Sequence, residues 1–362
     1  MEANSLVIRG GNVVTETEIL PNHDVVIKQG TIVDIKPTLA NARTRETDVF
    51  ADTGNPGLVV DAATGLPVVD ARGAYVVPGM VDIHSDYIES VASPRPSVVM
   101  DLPTSLYKLD RELVTHGVTT IYHSLSTYGS HVFDHKPIRN FENVQKLLDA
   151  IAAIREGEEH DHLIRHRLHL RVELDAVDRV DEIEHYLTED KVDLISFMDH
   201  TPGQGQYRDL LVYSNTMKGY REGMTDEEVD ALIKDRQNAK KISPEDLKRL
   251  ADLAHEKGIS LASHDDDCTE KVEYMDSLGA VISEFPIDMK TAHEAKEHGM
   301  FTLAGAPNVM LGHSHSGNLS AREGVENGAI DMLCSDYYPA ALIDAVFTLH
   351  RECKMSLPSA FA

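Results

Sequence analysis

Cysteine is scarce in this chain, basic residues are outnumbered, and long apolar runs are missing. The three cysteines, Cys268, Cys334 and Cys353, are odd in number and lack zinc-type spacing. They exclude a disulfide framework and fit free thiols in a reducing cytoplasm. No run of about 18 apolar residues occurs, so no transmembrane helix is expected. The opening residues, MEANSLVIRGGNVV, lack the basic-then-apolar pattern of a signal peptide. Lys and Arg number 34 against 60 Asp and Glu, a formal charge of −26. Nothing supplies a basic stripe for phosphates, which excludes nucleic acid as a partner. The acids are spread along the chain and not gathered in a tail, so they read as a solvated folded surface of the salt-adapted kind. In molar salt the screening length falls to roughly 3 Å, and such a surface barely repels itself. At low salt it repels an anionic substrate, which local cations must then hold.

What is present is enough for a large core. The 362 residues are 42% hydrophobic, which suits one large α/β domain and a small one. Residues 1–75 carry short alternating strands, such as Ser5–Arg9, Asp24–Lys28 and, after a Gln29-Gly30 turn, Thr31–Ile35. This is hairpin grammar. The polar segment 39–66 reads as an insertion loop on that small β subdomain. From residue 76 to 362, apolar strand candidates alternate with helical periods. The strands are 81–84, 118–122, 169–173, 193–197, 259–263, 281–285, 301–304 and 330–334. Helix starts are marked by the capping box Thr225-Asp226-Glu227-Glu228 and by Ser243-Pro244, and a helix end by Gly258. Repeated strand–helix units predict a parallel (β/α)8 barrel of the TIM type.

In such a barrel, chemistry sits at the C-terminal ends of the strands. After Val76-Val77-Pro78-Gly79, the first strand ends in His84-Ser85-Asp86. Side chains alternate along a strand, so His84 and Asp86 aim at one point. Other apolar runs end in Glu173, Asp199-His200, His264 and Ser335-Asp336. Three histidines with three carboxylates suit one or two divalent ions, with zinc, manganese and iron all compatible. Arg171, two residues before Glu173, shares its strand face. Arg95 follows the first pair, and the loop 313–318 offers Ser314, His315, Ser316 and Asn318 as anion contacts around a permissive glycine. His160, His162, His166 and His169 are set aside, the last as out of phase with the ligand positions. Asp265 to Asp267 are set aside because only His264 follows its strand directly. Cys334 reads as core, Lys218 as solvent-exposed, and Tyr337 and Tyr338 as either packing or ribose contacts.

Taken together these motifs resemble the amidohydrolase superfamily and, within it, the PhnM family of phosphonate metabolism. The resemblance is carried in register by His84-Ser85-Asp86-Tyr87-Ile88-Glu89 with Pro94-Arg95-Pro96, by His169–Glu173, Met198–Gln204 and Ala262–Asp266, and by Gly305–Asn308, Ser314–Asn318 and Ser335–Pro339. It implies a metal-dependent hydrolase that splits α-D-ribose 1-methylphosphonate 5-triphosphate into the 5-phosphate and diphosphate, beside the carbon–phosphorus lyase system. It implies two divalent ions held by His84, Asp86, Glu173, His200, His264 and Asp336. Glu173 would bridge them, and Asp336 would accept the proton of the attacking water.

Two departures bear on this reading. Gly205 stands where the family often has a basic residue. The chain also reaches Ala362 soon after the eighth strand, so the small subdomain is expected to be incomplete, with open apolar faces and edges, and the chain to act as a homo-oligomer. The rival readings are a deaminase or cyclic amidase of the same superfamily, and a non-catalytic metal-binding member.

Overall fold

The computed structural model describes residues 4–38, 48–50, 59–61, 64–95, 97–129, 137–157, 162–220, 223–314 and 317–362. They form two compact units, residues 1–78 with 349–362, and residues 79–348.

The first unit contains β1 (Leu6–Val14), β2 (Ile19–Lys28) and β3 (Thr31–Pro37), joined antiparallel in that order. Gln29 and Gly30 both take left-handed backbone, φ 49° and 76°. That is the two-residue turn whose twist matches its strands. The strands β4 (Asp48–Phe50) and β5 (Val59–Asp61) pair antiparallel within the expected insertion loop, which is therefore not all loop. Its residues 39–47, 51–58 and 62–63 lie outside the described residues. The strands β6 (Val68–Asp70) and β7 (Tyr75–Val76) pair parallel to β1. Val7, Val26 and Leu66 form a small buried core. β3 is the edge strand and exposes Ile32, Val33 and Ile35.

The second unit is the eight-stranded parallel barrel anticipated from the strand–helix alternation. Its strands are β8 (Met80–Ser85), β9 (Val118–Thr127), β10 (Arg165–Glu173), β11 (Leu194–Met198), β12 (Ser260–His264), β13 (Ile282–Glu284), β14 (Phe301–Gly305) and β15 (Met332–Cys334), neighbours in chain order. The seam between last and first strand is closed past the strand ends. Asp336 N–H donates to His84 O at 3.0 Å, and Asp86 N–H to Asp336 O at 2.9 Å. Ser335 Oγ adds a bond to Ser85 Oγ at 2.8 Å. Gly79 leads into β8 with no room for a side chain: a Cβ there would stand 2.2 Å from Thr119 Cγ2. Strands buried on both faces are what covering helices produce. Leu168, Leu170 and Val172 lie on one face of β10, while Leu106, Leu109 and Leu113 of helix Leu102–Thr115 and Leu147, Leu148 and Ile151 of helix Phe141–Arg155 are buried in the surrounding layer. The expected capping box at Thr225 and the Ser243 cap both form.

Candidate active site

A cavity of about 700 Å³ opens where the barrel strands end. Its wall includes His84, Asp86, Arg95, Arg171, Glu173, His200, His264, Ser314, Asn318 and Asp336, ten of the residues singled out from the sequence. His315 and Ser316 lie outside the described residues. Lys218 pairs with Asp226 and does not line the cavity, and Cys334 is buried with its thiol against Ala304 O. Tyr337 lines the cavity, while Tyr338 is exposed.

The residues behind the wall explain its geometry. Glu284, the last residue of β13 and fully buried, stands beside His264 in register. Its Oε1 is 3.0 Å from His84 Nδ1 and its Oε2 is 3.0 Å from His264 Nδ1. His169 stands 3.7 Å from the same carboxylate and bonds Ser196 and Ser124 at 2.8 and 3.1 Å. His169 is thus in phase with the ligand positions, not out of phase as expected from the sequence: residues 169, 171 and 173 share one face of β10 by strand alternation. Burial pushes Glu284 up to about 7, with His169 and Arg171 opposing. Burial, then Arg171, holds His84 and His264 well below the usual imidazole range, so both are neutral and free to ligate. Burial also works against charge on His200, yet Glu173 and Asp265 carry it up to about 9. Glu173 hydrogen bonds His200 Nδ1, which turns Nε2 of that ring toward Asp265.

Asp265 therefore belongs to the site, contrary to its dismissal from the sequence. It stands one residue past β12 in left-handed backbone, φ 54°. Its Oδ2 is buried and makes no hydrogen bond, 3.4 Å from His200 Nε2 and 3.7 Å from His264 Nε2. All three donor atoms lie within 4.8 Å of one another. Ligands about 2.0–2.2 Å from a tetrahedral ion stand about 3.3 Å apart. Two imidazoles and a buried carboxylate oxygen at this spacing fit a divalent cation, which would take the place of the proton that His200 otherwise carries. Asp336 faces the same space, also left-handed at φ 58°; burial, then Asp86, pushes its carboxyl up to about 8 against Arg171. Arg171 is buried, with Nη2 3.2 Å from His264 Nε2 and an Nε that makes no hydrogen bond.

Further cations reach the wall that the sequence did not single out. Arg139 bonds Glu89 and the Tyr128 hydroxyl and lies 3.6 Å from Asp86. Arg236 pairs with Asp175 at 3.0 Å, and Lys241 pairs with Asp199. The last two come from the segment between β11 and β12. There helices Leu210–Tyr220 and Asp226–Gln237 bury Tyr213, Val229 and Ile233 together and bring Tyr207, Met217, Met224 and Leu232 against them. Gly205, the departure from the family pattern, has φ 52° and donates its N–H to Asp267 at 2.7 Å. Asp110, His162 and His166 also cluster, around the other face of β10. Asp110 there accepts from Leu163 N and Ile164 N at 2.9 Å and from His166, which makes the group a buried hydrogen-bond network.

A parallel eight-stranded barrel with a small β sheet before it and imidazoles and carboxylates at its C-terminal mouth defines a hydrolase barrel of the amidohydrolase type. Solved structures agree on that fold. A Xaa-Pro dipeptidase superposes with a TM-score of 0.58 at 11% identity, covering 99% of this chain and 86% of its own. A triazine hydrolase variant gives 0.54 at 13%, covering 99% and 79%, and the N-acetylglucosamine-6-phosphate deacetylase of Pasteurella multocida gives 0.52 at 10%, covering 98% and 86%. No family model matches the chain. A curated relative, the alpha-D-ribose 1-methylphosphonate 5-triphosphate diphosphatase of Escherichia coli (strain K12), is 33% identical over 304 residues, 83% of this chain and 79% of the relative. The chain belongs to the family of that diphosphatase, the PhnM family.

Proposed function

We propose that this protein hydrolyses α-D-ribose 1-methylphosphonate 5-triphosphate to the 5-phosphate, releasing diphosphate. Its relative is named for that reaction. The observation that carries the reading is the buried Arg171 guanidinium, 3.2 Å from His264 Nε2 and directly beside the converging metal donors. A fixed cation at the reacting centre favours an anionic phosphoryl group over the neutral amide of a deaminase or cyclic amidase substrate.

His84, Asp86, Glu173, His200, His264 and Asp336, joined by Asp265, are the residues that would hold one or two divalent ions, zinc, manganese or iron. Such ions acidify a bound water and polarise a phosphoryl oxygen. The chain's own groups do the rest. Arg171 orients an oxygen of the α-phosphoryl group. Water oxygen bonds to the α-phosphorus, the α–β bridging oxygen departs with diphosphate, and Asp336 takes the proton. Arg139, Arg236 and Lys241 line the same cavity paired with Glu89, Asp175 and Asp199 and would have to exchange those partners to meet the leaving diphosphate, with Arg95, Ser314 and Asn318 at its rim. Glu173 keeps His200 turned inward. The reading extends to a soluble cytoplasmic enzyme working beside carbon–phosphorus lyase proteins, assembled as a homo-oligomer. Among the described residues no helix is long and apolar enough to cross a membrane, and the three cysteines are free thiols.

The test is diphosphate release from the ribose triphosphate by metal-loaded protein, with hydantoins and dihydropyrimidines as rival substrates. Diphosphate release that His264→Ala abolishes is the expected result. Amide hydrolysis without diphosphate release would transfer the chain to the other reaction class, and no turnover of either would make it a non-catalytic member.

A further inference from the structure

We propose that Glu284 is a positioning residue that holds two metal-facing imidazoles in one tautomer, tying two sides of the site to a single carboxylate. The inference rests on the metal-dependent reading above and goes beyond it. Glu284 lies on β13, between neither ligand in sequence, yet each of its oxygens is 3.0 Å from an Nδ1: Oε1 from that of His84, Oε2 from that of His264. Above about pH 7 Glu284 is ionised, and an ionised carboxylate only accepts. Both Nδ1 atoms therefore donate, and both Nε2 atoms are unprotonated, that of His264 accepting from Arg171 Nη2 at 3.2 Å. For His264 that Nε2 is the atom 3.7 Å from Asp265 Oδ2, inside the donor group. The two rings stack 19° from parallel with centroids 5.4 Å apart, so one rigid clamp sets both. The backbone of His84 is tied to Asp336 across the barrel seam, and His264 shares the donor group of His200 and Asp265. A carboxylate behind a ligating histidine raises its basicity and fixes its ring, and losing one lowers metal affinity about 10–100-fold. Here one carboxylate serves two rings.

The chemistry gives a sharp variant. Glu284→Gln keeps the volume but replaces one acceptor by an NH2 donor. The ring facing that NH2 must accept at Nδ1, so its proton moves to Nε2 and its lone pair leaves the site. Glu284→Asp keeps the charge but is one methylene short and cannot span both rings.

Metal-free wild type, Glu284→Gln and Glu284→Asp are compared above the Glu284 value of about 7, at roughly pH 8.5, by long-range 1H–15N spectra of the imidazoles, with His84→Gln and His264→Gln to assign them. Each is then titrated with Zn2+ under competition and its bound metal counted. Wild type should show both rings protonated at Nδ1. Glu284→Gln should show at least one ring protonated at Nε2 and about 10–100-fold weaker Zn2+ binding, with the thermal midpoint of the metal-free protein shifted by only a few degrees. Glu284→Asp should keep one ring and fall between. Unchanged tautomers in Glu284→Gln would overturn the assignment, whatever the metal result. If wild type takes up no Zn2+ while Glu284→Gln still switches a tautomer, the positioning role stands and the metal reading of the site falls.

Discussion

Asp336 shows how much one residue can be asked to do. Its backbone pairs with both His84 and Asp86, its φ is 58°, and burial with Asp86 raises its carboxyl to about 8. As the proposed proton acceptor it should be costly to neutralise. Asp336→Asn is expected to lower kcat by about 10²–10⁴-fold while leaving KM for the triphosphate close to wild type, in steady-state diphosphate release. The raised groups also set a pH response. In the metal-free fold Glu284 and Asp336, at about 7 and 8, keep a proton that the unfolded chain has already released; a divalent ion beside Asp336 would displace its proton and leave it able to accept one. Their effect is to lower stability as pH climbs toward those values. His200, raised to about 9 from 6.5, adds stability that is whole below 6.5 and lost as pH rises through 9. Metal-free protein should therefore lose thermal stability between pH 6.5 and 9, and saturating Zn2+, competing with the same protons, should flatten the slope. Scanning fluorimetry across that range checks it; a midpoint that climbs with pH in the metal-free protein contradicts it.

At the scale of elements, the ends of the strands carry the strain. Asp265, Phe285 and Asp336 follow β12, β13 and β15 in left-handed backbone, φ 54°, 56° and 58°. Such residues cost about 1–3 kcal/mol each and persist where the surroundings over-determine them. Asn tolerates this backbone and lacks the charge. Asp265→Asn should thus keep the backbone geometry and, by removing the charge that faces His200, lower the metal-free thermal midpoint by only a few degrees, while weakening Zn2+ binding about tenfold or more, read by thermal midpoint and metal count on one sample. The lead-in to β8 gives a second test. Gly79→Ala should destabilise the fold by about 1–3 kcal/mol through overpacking on Thr119, and adding Thr119→Ala should return part of the loss in denaturant titration.

The same elements show why part of the site could be read from the chain and part could not. His84, Asp86, Glu173, His200 and His264 sit at ends of apolar runs, where alternation alone aims them. Glu284 obeys the same rule, but Phe285 extends the apolar run past it and hides the strand's end. Asp265 needs a left-handed turn to face inward, and an Asp after a strand more often caps a helix. Arg236 and Lys241 arrive from a helical insertion whose fold-back is set by Tyr213, Val229 and Ile233 packing, a tertiary event with no local mark. The barrel itself was legible because strand–helix alternation repeats; the β4–β5 pair inside a polar segment was not.

For the molecule as a whole, charge and site oppose each other. A net charge of −26 surrounds a cavity whose wall sets Arg95, Arg139, Arg171, Arg236 and Lys241 among the carboxylates of Asp86, Glu89, Glu173, Asp175, Asp199, Asp265 and Asp336, so its cations act only at close range. Between 10 and 150 mM salt the screening length falls from about 30 Å to about 8 Å. The long-range repulsion should fade first, so kcat/KM for the triphosphate is expected to rise with salt over that range. A steady fall in stopped-flow or steady-state rates would mean that the cavity cations, not the surface, dominate the approach.

The barrel seam has a consequence in time as well as in space. Ser335 meets Ser85 across 250 positions of chain, and the residue that follows it both shuts the ring and brings Asp336 to His84 and Asp86. During synthesis the first ligand pair leaves the ribosome long before its partner exists. His84 and Asp86 therefore wait on an open sheet until β15 is made. The donor group of His200, His264 and Asp265 is complete in the chain before β15 is made, whereas the side of His84 and Asp86 is finished only in the event that closes the ring.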